Sequence, residues 1–149
     1  MAGTHWVAPS APETIGTGTE TRVQVIAAAN HRLTVTEWSI SFKGIVATDL
    51  PIEVQLLRQS TAGTASGLTP LNSSSNGDTL DVTAQETFTA EPTPGDILDR
   101  VFIHPQAGYT YAVVRDVQIQ VPPAGRLGVR TLNSGGVDTT AITTIKGEE

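Results

Sequence analysis

Residues 52–56 read Ile-Glu-Val-Gln-Leu, a stretch in which apolar and polar side chains alternate strictly. Because successive side chains of a β-strand point to opposite faces of the sheet, this pattern predicts a half-buried strand. Pro51 marks its entry. The alternation returns at residues 126–132, after the turn Pro122-Pro123-Ala124-Gly125. The two stretches together predict a fold built from short strands and tight turns.

The composition supports an all-β chain. Its 149 residues include 22 Thr, 14 Val and 10 Ile, side chains that pack well on a pleated sheet. Helix-forming Lys and Met are scarce, and 14 Gly and 9 Pro punctuate the sequence. We expect about eight strands at intervals of roughly 10–15 residues, which is typical of a sandwich or barrel. A jelly-roll-like β-sandwich is the first choice and an immunoglobulin-like sandwich the second, since the chain exceeds about 100 residues and has no cysteine pair.

One predicted strand changes phase. Within residues 33–42, Leu33 and Val35 share one face, and after Glu37 the apolar side chains move by one position to Trp38, Ile40 and Phe42. A β-bulge produces such a shift, as does a strand that passes between packing layers.

The N-terminal residues differ in composition from the rest. Residues 1–20 contain prolines and glycines without sustained alternation, which predicts an extended arm. Residues 21–146 are then the β-sandwich domain and residues 147–149 a C-terminal tail. Within the arm, the apolar cluster His5-Trp6-Val7, followed by Pro9, is costly to leave in water, so we expect it to dock on a subunit or partner.

Residues 60–79 form a run of Ser, Thr, Gly and Asn. This composition predicts one long loop, and a loop of this length inside a domain is usually functional or mobile.

Charge and hydropathy exclude several classes of protein. Lys and Arg total 9 against 15 Asp and Glu, a net charge of −6, which argues against a nucleic-acid binder. No apolar stretch approaches the ~20 residues of a membrane span. The first residues lack the pattern of a secretory signal, and the absence of cysteine excludes disulfides and thiolate metal sites.

The sequence carries no recognised catalytic motif, and its three histidines, at positions 5, 31 and 104, are dispersed. The nearest group of possible ligands is Asp96, Asp99 and His104, with Asp78 and Asp81 as a further carboxylate pair. Turn and strand-end roles explain these residues better. We therefore expect no enzyme activity, no metal and no cofactor.

Assembly is the function that these features favour. Tyr109 and Tyr111 share one strand face and form an exposed packing stripe. Apolar side chains such as Val113, Val114 and Ile119 leave apolar area on both strand faces, which predicts a homo-oligomer, most simply a trimer.

Three segments carry a resemblance to a known family: Glu91–Asp96 (EPTPGD), His104–Gly108 (HPQAG) and Pro123–Arg130 (PAGRLGVR). Over residues 20–146 the sequence resembles the capsid decoration, or cement, proteins of tailed phages, which have a jelly-roll-like fold. The resemblance implies a structural virion protein made in the host cytoplasm and bound to the major capsid protein on the capsid surface, often as a trimer. It implies no enzyme activity and no cofactor.

Two other functions remain open. One is a phage tail module, or a receptor- or carbohydrate-binding β-sandwich, although the 60–79 segment has no aromatic side chain. The other is an enzyme subunit whose site forms between chains.

Overall fold

The computed structural model describes residues 3–74, 77–135 and 137–149. These residues form two antiparallel sheets and one 3-10 turn at Arg115–Val117. The strands are β1 (His5–Pro9), β2 (Glu13–Ile15), β3 (Gly18–Ile26), β4 (Leu33–Phe42), β5 (Ile52–Gln59), β6 (Thr64–Leu68), β7 (Leu71–Asn72), β8 (Thr83–Ala90), β9 (Pro94–Ile103), β10 (Gly108–Ala112), β11 (Ile119–Val121), β12 (Arg126–Asn133) and β13 (Thr139–Glu148). The prediction of an all-β sandwich is confirmed.

Sheet A has the order β10-β4-β13-β1-β7, and sheet B has the order β6-β8-β3-β12-β5-β9. In sheet A, β2 continues the pairing of β1 with β13, and β11 continues that of β10 with β4. Four pairs are nested in the sequence: β1 with β13, β3 with β12, β4 with β10, and β5 with β9. Distant parts of the chain therefore meet in every central ladder.

The inner faces of the two sheets enclose one apolar core. Its largest fully buried apolar side chains are Trp6, Ile15, Leu33, Trp38, Ile40, Ile52, Leu56, Leu127 and Ile145. The phase change predicted in β4 is a β-bulge: Glu37 lies opposite Lys146 and Val35 opposite Gly147. Thr36 is therefore the extra residue, with no residue of β13 opposite it. The bulge keeps Val35 and Trp38 both directed into the core.

The expectation of an extended arm over residues 1–20 is wrong. Residues 5–9 are strand β1, which pairs with β13 along its whole length and with β7 over two residues. Trp6, Ala8 and Ile15 are buried in the core. Prolines 9 and 12 did not prevent this, because Pro9 ends a strand and Pro12 lies between two strands. Residues 1 and 2 lie outside the described part of the chain.

The predicted tail at residues 147–149 also belongs to the sandwich. Strand β13 continues to Glu148, and the backbone of Glu149 exchanges two hydrogen bonds with Thr4. The Glu149 carboxylate accepts hydrogen bonds from the backbone N–H groups of Asp81 and Val82, each at 2.8 Å. Thr4 and the C-terminal residues are therefore joined beside the β1–β13 ladder.

The prediction of a single loop over residues 60–79 is wrong in part. Strand β6 pairs with β8 at one side of sheet B, and β7 pairs with β1 at the same side of sheet A. Neither strand shows apolar alternation, because an edge strand exposes most of its side chains to water. Residues 75 and 76 lie outside the described part of the chain.

Candidate functional site

The four N-terminal residues expected at an interface lie on one strand of the chain's own sandwich. Trp6 is 1% exposed, so it is a core residue and is not available to a partner. His5 is exposed, and its Nδ1 lies 3.9 Å from a Glu148 carboxylate oxygen. Val7 and Pro9 are half-buried and pair with Lys146 and Thr144. Trp6 is therefore not an anchor for a partner, whereas His5, Val7 and Pro9 are at least partly accessible on β1.

Hydrogen bonds and an ion pair fix the segment that follows β1. The Glu13 carboxylate accepts hydrogen bonds from the Thr87 N–H (2.8 Å) and hydroxyl (3.0 Å), and lies 3.5 Å from the buried Arg22 guanidinium. The Ala11 N–H donates to the Glu86 carboxylate at 2.8 Å. Burial raises the pKa of Glu13, although the Thr87 hydrogen bonds and Arg22 act in the opposite direction. These contacts join the N-terminal segment to sheet B.

Tyr109 and Tyr111 both lie on β10, but the expectation of an exposed stripe is wrong for Tyr109, which is half-buried. The Tyr109 ring packs against Trp38 at a centroid distance of 5.1 Å, and its hydroxyl donates to Asp99 at 3.4 Å. Burial, and then the charge of Asp99, raise the pKa of Tyr109. Tyr111 is exposed at the end of the strand. The tyrosine pair therefore runs from the core to the surface.

The two sides of the sandwich end in different kinds of edge strand. On one side the outermost strands are β7, of two residues, and β6, a short strand of mostly small or polar side chains. On the other side they are β9, of ten residues, and β10, of five. Proteins commonly protect sheet edges with short or polar strands, because a long apolar edge invites pairing. Of these four edge strands only β9 is long, so its side of the sandwich is the less protected one.

Large apolar side chains are exposed on the less protected side. Phe102 is 69% exposed, Val114 70% and Val117 63%. Ile97, Leu98 and Tyr111 are exposed to a smaller extent. We call these six residues, on β9, β10 and the segment that follows β10, the open-edge surface. Groups of exposed apolar side chains on this scale often mark a protein–protein contact.

A groove of about 450 Å³ lies within the open-edge surface, between the edges of the two sheets. Its lining residues are Arg58, Leu98, Asp99, Tyr111, Val117, Gln118, Ile119 and Gln120. The Arg58 guanidinium donates to the Gln120 carbonyl at 3.0 Å and fixes one polar border. Leu98, Tyr111, Val117 and Ile119 give the groove apolar contacts, and four polar side chains line the rest, so it suits a partner segment that carries both apolar and polar groups.

Three of the residues considered as metal ligands, His104, Asp81 and Asp99, contact other groups of the chain. His104 Nδ1 accepts a hydrogen bond from the Gln106 N–H at 3.2 Å, and its Nε2 lies 3.2 Å from the Ala47 carbonyl. Asp81 pairs with His31 at 2.7 Å, and Asp99 contacts Tyr109. Among the described residues, no three His, Asp or Glu side chains come together as a metal site would require.

The sequence predicted that Tyr111 and Val114 are exposed, but it did not predict the exposure of Leu98, Phe102 and Val117. Leu98 has no partner on β5, Phe102 lies on the outer face of sheet B, and Val117 lies in the 3-10 turn, so local alternation does not show their exposure.

Comparison with protein-family models, with curated proteins and with solved structures finds no match to this chain. The described residues contain no helix long and apolar enough to cross a membrane.

Proposed function

We propose that this protein is a structural virion protein that binds the outer surface of a phage capsid and stabilises it, as a decoration protein does. The observation that carries the proposal is the open-edge surface: one side of the sandwich has a long edge strand, exposed apolar side chains and a groove. The major capsid protein is the proposed partner.

The order of the strands in the two sheets also supports this proposal. The four nested strand pairs generate the orders β1-β13-β4-β10 and β3-β12-β5-β9. Rolling up a hairpin of four nested pairs gives an eight-stranded double sheet with this pairing, which is the jelly-roll topology. We assign the sandwich to that topology, with β6, β7 and β8 as an insertion between β5 and β9. Jelly rolls are common in viral capsid proteins.

Several buried polar side chains form hydrogen bonds to one another, and this structural role favours binding over catalysis. The Gln24 amide donates to the Gln59 carbonyl oxygen at 2.8 Å, and the Gln59 amide donates to the Thr21 hydroxyl at 3.0 Å. Arg22 donates to Thr131 at 2.9 Å and to Glu20 at 2.7 Å. These buried side chains hold strands and loops together, which gives the open-edge surface a rigid support.

The proposal is tested by co-sedimentation with capsids assembled without the protein. We expect Val117→Lys, which places a charge at the groove, to weaken binding by tenfold or more, since interface centres tolerate unpaired charges poorly. Leu71→Lys is the matched control, because Leu71 is also an exposed edge residue but lies on β7, at the opposite side. It should bind as the wild type does.

Equal binding by both variants would contradict the open-edge surface as the contact. Failure of the wild type to bind capsids, together with binding to host cells or glycans, would instead favour the receptor- or carbohydrate-binding alternative.

A further inference from the structure

Strand β9 has a regular ladder with β5 over residues 99–103 only. Asp99 lies opposite Leu56 and Ile103 opposite Ile52, whereas Leu98 has no partner. The Arg100 N–H donates to the Asp99 carboxylate at 2.8 Å, so we take it to face the free edge of β9. Since backbone groups alternate in direction along a strand, Phe102 also presents its N–H and C=O to the free edge.

The side chains of Arg100 and Phe102 lie together on the outer face of sheet B. They are two positions apart, and their partners Gln55 and Glu53 belong to the polar face of β5. Arg100 Nε lies 3.0 Å from a Glu53 carboxylate oxygen, and Phe102 is exposed beside it. A cation and an aromatic ring therefore alternate along one exposed edge.

We infer that two copies of this chain pair through β9, antiparallel, about a two-fold axis at Val101. In this register Val101 faces itself, and Arg100 of each copy lies opposite Phe102 of the other. Once Asp99 releases the Arg100 N–H, the edge-facing N–H and C=O groups of Arg100 and Phe102 bond across the axis. Arg100 of one copy and Phe102 of the other then form a hydrogen-bonded pair of an antiparallel ladder. Each guanidinium lies beside a phenyl ring, where a cation–π contact is favourable. The two copies of sheet B become one continuous sheet.

Other registers of the β9–β9 pairing are less favourable. An axis at Asp99 would place two carboxylates opposite each other, and an axis at Arg100 would do the same with two guanidinium groups. An axis at Phe102 or Ile103 would extend the ladder into the turn where the Ala107 N–H donates to the His104 carbonyl. Val101 is the midpoint of the regular stretch, so only that axis pairs all of residues 99–103.

The carboxylate of Asp99 occupies the Arg100 N–H in the single chain and must release it when the copies pair. Asp99 is therefore a cap that shields the edge before assembly. The inference does not depend on capsid binding, because it concerns the free protein. It also gives a dimer in place of the trimer that the resemblance implies.

Sedimentation equilibrium of the free protein tests the dimer. We expect the wild type to approach twice the chain mass of 15.6 kDa at about 100 µM, where even a weak dimer forms. Phe102→Lys should weaken dimerisation tenfold or more, and Leu71→Lys, on the opposite side, should not change it. Circular dichroism checks that both variants fold. A monomeric or trimeric wild type would overturn the inference, as would equal dimerisation by the two variants.

Cross-linking locates the axis. The chain has no cysteine, so the double variant Arg100→Cys with Phe102→Cys carries the only thiols. Opposite positions of an antiparallel pair are close enough for a disulfide. We expect this variant to oxidise to a covalent dimer, whereas Arg100→Cys alone should do so far more slowly. Equal rates for the two variants would rule out an axis at Val101.

Discussion

Replacement of Trp6 by Ala tests whether the N-terminal strand belongs to the fold. The indole is 1% exposed and packs on Gly147, where a Cβ would lie 2.6 Å from a ring carbon. The indole N–H has no hydrogen-bond partner among the described residues, so the variant loses packing alone. Removing a buried Trp costs about 3–5 kcal/mol.

A loss of that size is a large part of the roughly 5–15 kcal/mol that stabilises a typical domain. We expect Trp6→Ala to lower the free energy of unfolding by about 3 kcal/mol and the melting temperature by about 10 °C. Urea titration followed by circular dichroism measures the first quantity, and calorimetry the second.

His5→Ala is the matched control, because His5 is the exposed neighbour on the same strand. It should change stability by less than about 0.5 kcal/mol. A loss below about 1 kcal/mol for Trp6→Ala would refute the reasoning, since it would show that the indole is not buried in solution.

Three further predictions concern the stability of the fold. Gly147→Ala should destabilise the fold by about 1–3 kcal/mol in urea titration, because the new Cβ would overlap the Trp6 ring and the Thr34 carbonyl. Ala124→Gly should stabilise it by about 0.5 kcal/mol in thermal melts, because Ala124 has a φ of 57° that glycine adopts without strain. Burial raises the pKa of Glu13, so the folded state holds that proton more tightly than the unfolded state, and this contribution to stability is lost as pH rises above the ordinary value of 4.5. The stability of the wild type relative to Glu13→Gln should therefore fall as pH rises above 4.5, and a rise would contradict the burial of this carboxyl.

The sequence predicts the strands that have one buried face. Alternation marks β5 and β12, and the phase change in β4 correctly indicates a bulge, found at Thr36. Such signals are local, because they depend on one strand facing one core.

The sequence does not predict which distant segments pair. Strand β1 reads as an arm because prolines follow it closely, yet its partner β13 lies more than a hundred residues away in the chain. Strand β6 reads as a loop because both its faces are mostly exposed. The open-edge surface is hidden for a related reason: Phe102 lies on the outer face of sheet B and Val117 in the 3-10 turn after β10, and local alternation does not show that both positions are exposed.

Hydrogen exchange of the protein bound to capsids, compared with the free protein, tests the central proposal most directly. Capsid contact through the open-edge surface predicts slower exchange in peptides covering residues 108–120, which lie outside the β9 ladder of the inferred dimer, with little change over residues 64–72 at the opposite side. Protection confined to residues 64–72, or no protection on capsids that carry bound protein, would contradict the account.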